Sequence, residues 1–343
     1  MDRGSASAGE RAAAAWVAET LRARGVQDVR LRAFRGSKTY AWAHALHVAV
    51  ALRGGWAAVA ALASLELEVS GRAPWVRRLL PRGAGTSVVA RVEAPGAAAP
   101  TVVLVAHLDT ARTGVVWHPR LTTPGAARRR RRTRAVPPYL APVAAAMVLA
   151  ALPHRAARRA GRAILAVALV AELDVARSPH VPGASDNATG VAAVLDLLAD
   201  PPPGVTLVGV LCGCEESGMD GMRDWLRHEG RALDPDLVLN LDTLGAGTPI
   251  VLRAEATLLP HAYADADLAL VPDDVPRWRI GGWTDAVLAR FAGLPTISLL
   301  SIGPDGAFTN YHRPTDTTNN VDWRSVEDCL ALARGILAAL SAR

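Results

Sequence analysis

The sequence contains few residues of several types, and each scarcity argues against a class of protein. Its 343 residues include three cysteines, Cys212, Cys214 and Cys329, whose spacing matches neither a disulfide framework nor a cysteine-based metal site. Aromatic residues make up 5% of the chain, too few for the stacking surface of a protein that binds nucleic acid. We therefore expect a globular protein of a reducing compartment, with no nucleic-acid partner.

Lysine is almost absent, since Lys38 is the single lysine of the chain. The formal net charge of +6 at pH 7 consequently rests on arginine. Together with abundant alanine and glycine, this indicates codon bias rather than a basic surface for nucleic acid. The first 25 or so residues carry charges throughout and lack the apolar centre of a secretory signal. We expect them to form a surface helix of a cytoplasmic protein.

Most of the chain alternates between short apolar runs and helical patterns. The runs predict strands near residues 29–34, 87–93, 101–109, 205–212, 236–242 and 295–301. Helical patterns occupy residues 186–200, 219–229, 285–291 and 323–340. Such alternation predicts an α/β fold with a mostly parallel central sheet and helices on both faces. We expect one domain over residues 1–343.

Two apolar intervals, residues 40–81 and 112–182, interrupt this alternation. The alternating core is complete without them, so we interpret them as inserted helical hairpins. Their apolar runs are too short or too rich in proline and charge for a spanning helix, which needs about 20 apolar residues. They pack either on each other, as a lid over the active site of a soluble cytoplasmic protein, or on an anionic membrane surface. Arginines at 128–132 and 155–162 favour the cytoplasmic side of that membrane.

Side chains that bind metals follow three of the predicted strands. His107 and Asp109 end one strand, Glu215 and Glu216 follow the next, and Asp242 follows a third. The carboxyl ends of parallel strands face a common crevice in an α/β sheet. The sequence therefore predicts that an imidazole and several carboxylates meet at one edge of the sheet.

Two loops add further candidates to this set. The stretch "GASDNATG" contains Asp186 before a predicted helix, and "NYHRPTD" contains His312 beside Tyr311. Each residue alone has an ordinary explanation, because Asp186 could cap its helix and His312 could be a loop histidine. Asp285, in "GGWTDAVLARF", could likewise lie near the pocket or cap a helix. The joint order of the candidates carries the functional hypothesis.

That order resembles the co-catalytic zinc peptidases, a family that includes bacterial leucyl aminopeptidases and glutamate carboxypeptidase. The motifs read, in order, His107-Leu-Asp109, Asp186-Asn-Ala-Thr189-Gly190, Glu215-Glu216, Asp242 and Tyr311-His312-Arg-Pro314-Thr-Asp316. The resemblance extends from about Ser87 to the C-terminus, without the second interval. Thr189 stands where the family usually has serine, and Ser185 where many members have aspartate.

The resemblance implies a zinc aminopeptidase-like fold and two zinc ions. Five residues would bind these ions: His107, Asp186, Glu216, Asp242 and His312. Asp186 would bridge them, His107 and Asp242 would complete one site, and Glu216 and His312 the other. Asp109 would orient His107.

The same resemblance implies hydrolysis of a peptide or amide bond, most simply by an aminopeptidase. Glu215 would act as general base on a water that bridges the two ions, and Tyr311 would help to hold the oxyanion. The substrate would be a peptide or an N-acyl amino acid. The alternatives are an aminoacylase or carboxypeptidase of the related clan, and a catalytically silent receptor or scaffold. The sequence does not predict the oligomeric state.

Overall fold

A computed structural model describes residues 2–95, 99–121, 127–255 and 257–343. Nine strands in these ranges form one mixed sheet. They are β1 (Asp28–Ser37), β2 (Arg82–Val92), β3 (Thr101–His107), β4 (Thr206–Cys212), β5 (Leu237–Leu241), β6 (Thr248–Glu255), β7 (His261–Ala262), β8 (Arg277–Ile280) and β9 (Thr296–Ile302). The described α-helices are α1 (Ala8–Ala23), α2 (Ala41–Ala51), α3 (Trp56–Val69), α4 (Trp75–Leu79), α5 (Ala127–Thr133), α6 (Ala141–Ala151), α7 (Arg155–Arg177), α8 (Thr189–Ala199), α9 (Asp220–Trp225), α10 (Arg231–Leu233), α11 (Asp265–Leu268), α12 (Ala286–Phe291) and α13 (Trp323–Ser341).

The strand order is β1-β2-β4-β3-β5-β9-β6-β7, with β8 beside β6. The four central strands, β4, β3, β5 and β9, are parallel. Antiparallel pairs flank them, β1 with β2 and β2 with β4 on one side, and β9 with β6 and β6 with β7 on the other. The predicted α/β class is thus confirmed, and the sheet is parallel among its four central strands and between β6 and β8.

Helices cover both faces of the sheet because its central strands are apolar on both sides. On β3, Val102 and Leu104 join a core with α1, α8 and α13, whereas Val103 and Val105 join a second core with α9 and α12. Full burial of each such side chain contributes roughly 1.5–3 kcal/mol. Helix α1 is more than a surface helix, because one of its faces, including Leu21, is buried in the first core.

The two apolar intervals, residues 40–81 and 112–182, meet in a bundle of four helices. Helices α2 and α3 come from the first interval, and α6 and α7 from the second; α2 packs on α7 and α3 on α6. The bundle has a core of its own, which includes Leu65, Met147 and Leu165. Gly161 permits close packing, since a Cβ there would lie 2.5 Å from the amide nitrogen of Ala150. Among the described helices, none is long and apolar enough to cross a membrane.

Candidate metal centre and active site

Three parallel strands deliver side chains to one edge of the sheet. His107 is the last residue of β3, Asp242 directly follows β5, and Glu215 and Glu216 lie in the turn after β4. The parallel pairing of β3 with both β4 and β5 brings these strand ends together. His107, Asp242 and the glutamate pair therefore lie together at this edge, as the sequence predicts.

Five of the predicted residues form two overlapping groups whose candidate ligand atoms lie within 4.8 Å of one another. The groups are His107, Asp186 and Asp242, and Asp186, Glu216 and His312. Asp186 belongs to both, with Oδ1 3.1 Å from Nε2 of His107 and Oδ2 3.6 Å from Nε2 of His312. Its two carboxylate oxygens therefore face two different histidines, as a bridging ligand requires.

The remaining distances complete each group. Nε2 of His312 lies 3.2 Å from Oε2 of Glu216, and Nε2 of His107 lies 3.9 Å from Oδ1 of Asp242. Glu215 is in neither group, although its Oε2 lies 4.0 Å from Nε2 of His107. The adjacent glutamates thus occupy different positions, which matches the different roles predicted for them.

The donor set fits zinc. Three carboxylates and two imidazoles are nearly inaccessible to solvent, and buried carboxylates need a cationic partner. Within the described part of the chain, Oε1 of Glu216 is buried without a hydrogen-bond partner. Imidazole nitrogens and carboxylate oxygens are common zinc ligands. The two overlapping groups therefore offer buried donors that suit zinc.

Burial and charge perturb the acid–base groups of this site. Burial raises the pKa of the Glu215 carboxyl well above its usual range, and the carboxylates of Asp285, Glu216 and Asp242 raise it further. Burial raises the pKa of Asp242 to about 6. For His107, burial lowers the pKa, but the charges of Glu215 and the aspartates outweigh burial and raise it well above the usual value. Such mutual perturbation is typical of catalytic centres.

Asp109 is buried beneath the centre, and its contacts differ in part from the prediction. Its main-chain carbonyl, rather than its carboxylate, lies at hydrogen-bond distance from Nδ1 of His107, at 3.1 Å. The carboxylate oxygen Oδ1 is 3.8 Å from that nitrogen. The carboxylate accepts hydrogen bonds from the amides of Glu215 at 3.0 Å and Glu216 at 3.2 Å. Asp109 therefore positions the glutamate pair as well as His107.

The N-terminal segment supports the site. This supporting role was not predicted from the sequence. Ser5 donates a hydrogen bond of 2.6 Å to Asp109, and Arg3 donates to the carbonyls of Leu108 and Gly183. Glu10 is fully buried and accepts from the amide of Cys214 at 2.9 Å. The sole sequence signal at Glu10 was its place three residues after Ser7, which is typical of a helix capping box.

Asp316 supports the loop that carries Asp186. Its carboxylate accepts hydrogen bonds from the amides of Ser185 at 2.8 Å and Asp186 at 3.1 Å. Thr189, which replaces the family serine, donates to the carbonyl of Ser185 at 2.7 Å and accepts from the amide of Leu244. The substitution thus keeps a hydroxyl that fixes the loop.

Tyr311 lies beside the metal centre in an aromatic cluster. Its ring stacks on His312, with 3.8 Å between centroids, and Trp117 meets His312 edge-on at 4.5 Å. These contacts hold the His312 ring in place.

Asp285 does not cap α12 through its side chain; it is buried near the site, and burial raises its pKa to about 7.

Helix α4, which follows α3 in the chain, also contacts the turn that carries the glutamate pair. Arg77 of α4 is buried, donates to the carboxylate of Glu68, and donates to the carbonyl of Ser217 at 3.1 Å. Gly218 has φ +127°, and a Cβ at this position would lie 1.0 Å from Nη1 of Arg77. Glycine two positions after Glu216 therefore makes room for the arginine.

A cavity of about 620 Å³ separates the bundle from the metal centre. Glu215, Glu216 and His312 line one part of it, and α6 and α7 contribute an apolar wall that includes Val143 and Val167. The bundle therefore forms part of the space in which a substrate would lie.

Comparisons with known proteins place this chain among the metallopeptidases. Residues 156–337 match the model of peptidase family M28, which is more than half of the chain. The chain belongs to that family, and it is a zinc-dependent peptidase. A comparison with curated protein sequences gave no significant match.

Solved structures of similar fold include two aminopeptidases. An aminopeptidase from Aneurinibacillus sp. strain AM-1 is 12% identical with a TM-score of 0.57, and the match covers 98% of this chain and 89% of that one. BSAP, a zinc aminopeptidase from Bacillus subtilis, is 14% identical with a TM-score of 0.56, over 98% and 90% of the chains. Glutaminyl cyclase from Tannerella forsythia is 13% identical with a TM-score of 0.56, over 100% and 93%. These likenesses describe the fold.

Proposed function

We propose that this peptidase is an aminopeptidase that uses two zinc ions. The observation that carries the proposal is the position of Asp186, whose two carboxylate oxygens face His107 and His312 separately. His107 and Asp242 complete one ligand group, and Glu216 and His312 the other. When bound, the ions would polarise the scissile carbonyl and lower the pKa of the attacking water.

The side chains around the ions would supply the proton transfers. Glu215 would accept a proton from the water and pass it to the leaving amine, in keeping with a carboxyl pKa that burial raises. The amide of Glu215 donates a hydrogen bond of 3.0 Å to the carboxylate of Asp109, which holds Glu215 in place. Tyr311, stacked on His312, would donate a hydrogen bond from its hydroxyl to the developing oxyanion.

The cavity favours a substrate with an apolar portion. Its wall from the bundle includes Leu140, Val143 and Val167, next to Glu215 and Glu216. A peptide with a free N-terminus would place its first side chain against this wall. N-acyl amino acids are the competing substrate class. Their hydrolysis would indicate an aminoacylase rather than an aminopeptidase.

A substrate panel tests the proposal. Zinc-loaded protein would be assayed with aminoacyl anilides, their N-acetyl counterparts, C-terminally extended dipeptides and N-terminal glutaminyl peptides. Hydrolysis of free aminoacyl anilides that stops with a chelator and returns with zinc is the expected result. Preference for N-acetyl substrates, or cyclisation of glutaminyl peptides without hydrolysis, would contradict the aminopeptidase assignment. No turnover in any arm would favour a silent receptor or scaffold.

We further propose that the bundle docks on an anionic membrane surface at its cytoplasmic side. Its outer faces carry large exposed apolar side chains, among them Trp56 at 86% and Val148 at 49% exposure. Arg53, Arg155 and Arg159 are exposed at the two hairpin tips. Apolar and indole side chains beside arginines are suited to the interface of an anionic bilayer.

Flotation on liposomes tests the docking. We expect the protein to float with vesicles rich in phosphatidylserine, to float less with phosphatidylcholine alone, and to lose flotation in a Trp56→Ser, Val148→Ser double variant. Sedimentation without lipid tests the alternative, in which a second copy of the chain covers this apolar surface. Failure to float on either vesicle, with or without dimers in solution, would rule out the membrane proposal.

A further inference from the structure

A buried pair of polar side chains lies in the cavity away from the metal ligands. His44 of α2 and Glu172 of α7 both line it, and their side chains are 9% and 12% exposed. Nδ1 of His44 lies 3.4 Å from Oε1 of Glu172. Across the described residues, Oε2 of Glu172 has no hydrogen-bond partner.

The apolar surroundings of Glu172 make its buried carboxylate destabilising for the folded protein. The cavity wall next to Glu172 is apolar and includes Ala168, Ala171 and Val175. A buried carboxylate oxygen without a donor loses its hydration without compensation. An apolar residue at position 172 would stabilise the bundle more, so the carboxylate points to a role in binding a donor from outside the chain.

The pair is close to the metal centre but separate from it. Glu172 belongs to neither group of candidate metal ligands. Tyr40, whose ring centroid is 4.8 Å from that of His44, feels both the Glu172 and the Glu216 charges, which add to burial in raising its pKa. A substrate group that reaches Glu172 must therefore extend beyond the reacting bond.

We infer that Glu172, which lies beside His44, is a specificity-determining residue that binds the cationic side chain of a substrate whose first residue is lysine or arginine. The inference rests on the proposed aminopeptidase function. The aliphatic stem of such a side chain lies along the apolar wall while its charged head donates to Oε2 of Glu172, as long basic side chains do on apolar surfaces. Nδ1 of His44 lies beside the other carboxylate oxygen, Oε1, at 3.4 Å.

The test compares lysyl and norleucyl p-nitroanilides, whose side chains share an aliphatic stem and differ at the charged end. We expect wild-type protein to favour the lysyl substrate in kcat/KM. Glu172→Gln should reduce that preference about 10- to 100-fold, the range for one hydrogen bond to a charged group, mainly through KM of the lysyl substrate. Turnover of the norleucyl substrate should not change.

Asp174→Asn is the matched control. Asp174 is on the same helix, and its Oδ2 accepts from the amide of Val115 at 2.7 Å, a contact that asparagine can keep. The control should retain the wild-type preference. If both substrates are cleaved with the same ratio in wild type and Glu172→Gln, the inference is wrong and the aminopeptidase proposal stands. If neither is cleaved by zinc-loaded wild type, both proposals fall.

Discussion

Replacement of Arg77 by methionine should destabilise the protein strongly, because it leaves a buried charge alone. Arg77 and Glu68 have side-chain exposures of 3% and 0%. The guanidinium donates to the Glu68 carboxylate and to the Glu68 carbonyl, the latter at 2.6 Å. Breaking a buried ion pair from one side typically costs about 3–5 kcal/mol. We expect a loss of that size in the free energy of unfolding, measured by urea denaturation.

Two further variants separate the charge from the shape. Glu68→Gln removes the buried charge while keeping an acceptor for the amide of Val76, which now donates to the carboxylate at 2.8 Å. Added to Arg77→Met, it should restore more than half of the lost stability. Arg78→Met is the control, since the neighbouring Arg78 is exposed on the same helix. A loss below about 1 kcal/mol in Arg77→Met, equal to that of the control, would refute the reasoning.

Three other changes have defined outcomes. Asp186→Ala should lower zinc content more than loss of any other single ligand, because Asp186 belongs to both ligand groups; elemental analysis measures this. Gly218→Ala should lower both stability and kcat, since its Cβ would overlap Arg77; urea denaturation and anilide hydrolysis measure these. Burial raises the pKa of Glu255 from 4.5 to about 8, so the folded state holds a proton that the unfolded state releases. Wild-type stability should therefore fall relative to Glu255→Gln as pH rises from about 4.5 to about 8, as urea titrations at each pH would show.

Each of these outcomes has a contrary result. One intact zinc site in Asp186→Ala would place the bridge elsewhere. For the glycine, Gly335→Ala is the control, because within the described ranges no atom outside the neighbouring residues and backbone of its own helix lies within 4 Å of the added Cβ; equal effects of the two substitutions would contradict the close-contact argument. Parallel stability curves for wild type and Glu255→Gln across that pH range would show that Glu255 keeps its ordinary pKa.

The central strands could be predicted because burial on both faces leaves a local pattern. The runs at 101–109 and 205–212 correspond to Thr101–His107 and Thr206–Cys212. The strands β6, β7 and β8 were missed for the opposite reason. Thr248–Glu255 ends in a charged stretch, His261–Ala262 has two residues, and Arg277–Ile280 alternates arginine with apolar residues over four positions. Such short or mixed segments form strands through their neighbours rather than their own sequence.

The candidate ligands could be predicted because each follows a predicted element or belongs to a recognisable motif. The supporting contacts could not, because they join distant parts of the chain. Ser5 and Asp109 are 104 positions apart, and Glu10 and Cys214 are 204 apart. The direction of the Asp109 carboxylate, towards the amides of Glu215 and Glu216, depends on side-chain rotation that spacing does not encode.

Zinc content and turnover of Glu215→Gln, measured on the same preparation as wild type, test the central claim most directly. Glu215 lies outside both ligand groups, so we expect two zinc ions per chain in both proteins. The variant should lose about 10²–10⁴-fold in kcat on an aminoacyl anilide, because it lacks the general base. Loss of zinc along with activity would make Glu215 a ligand instead, and retained activity with full zinc would contradict its role as the base.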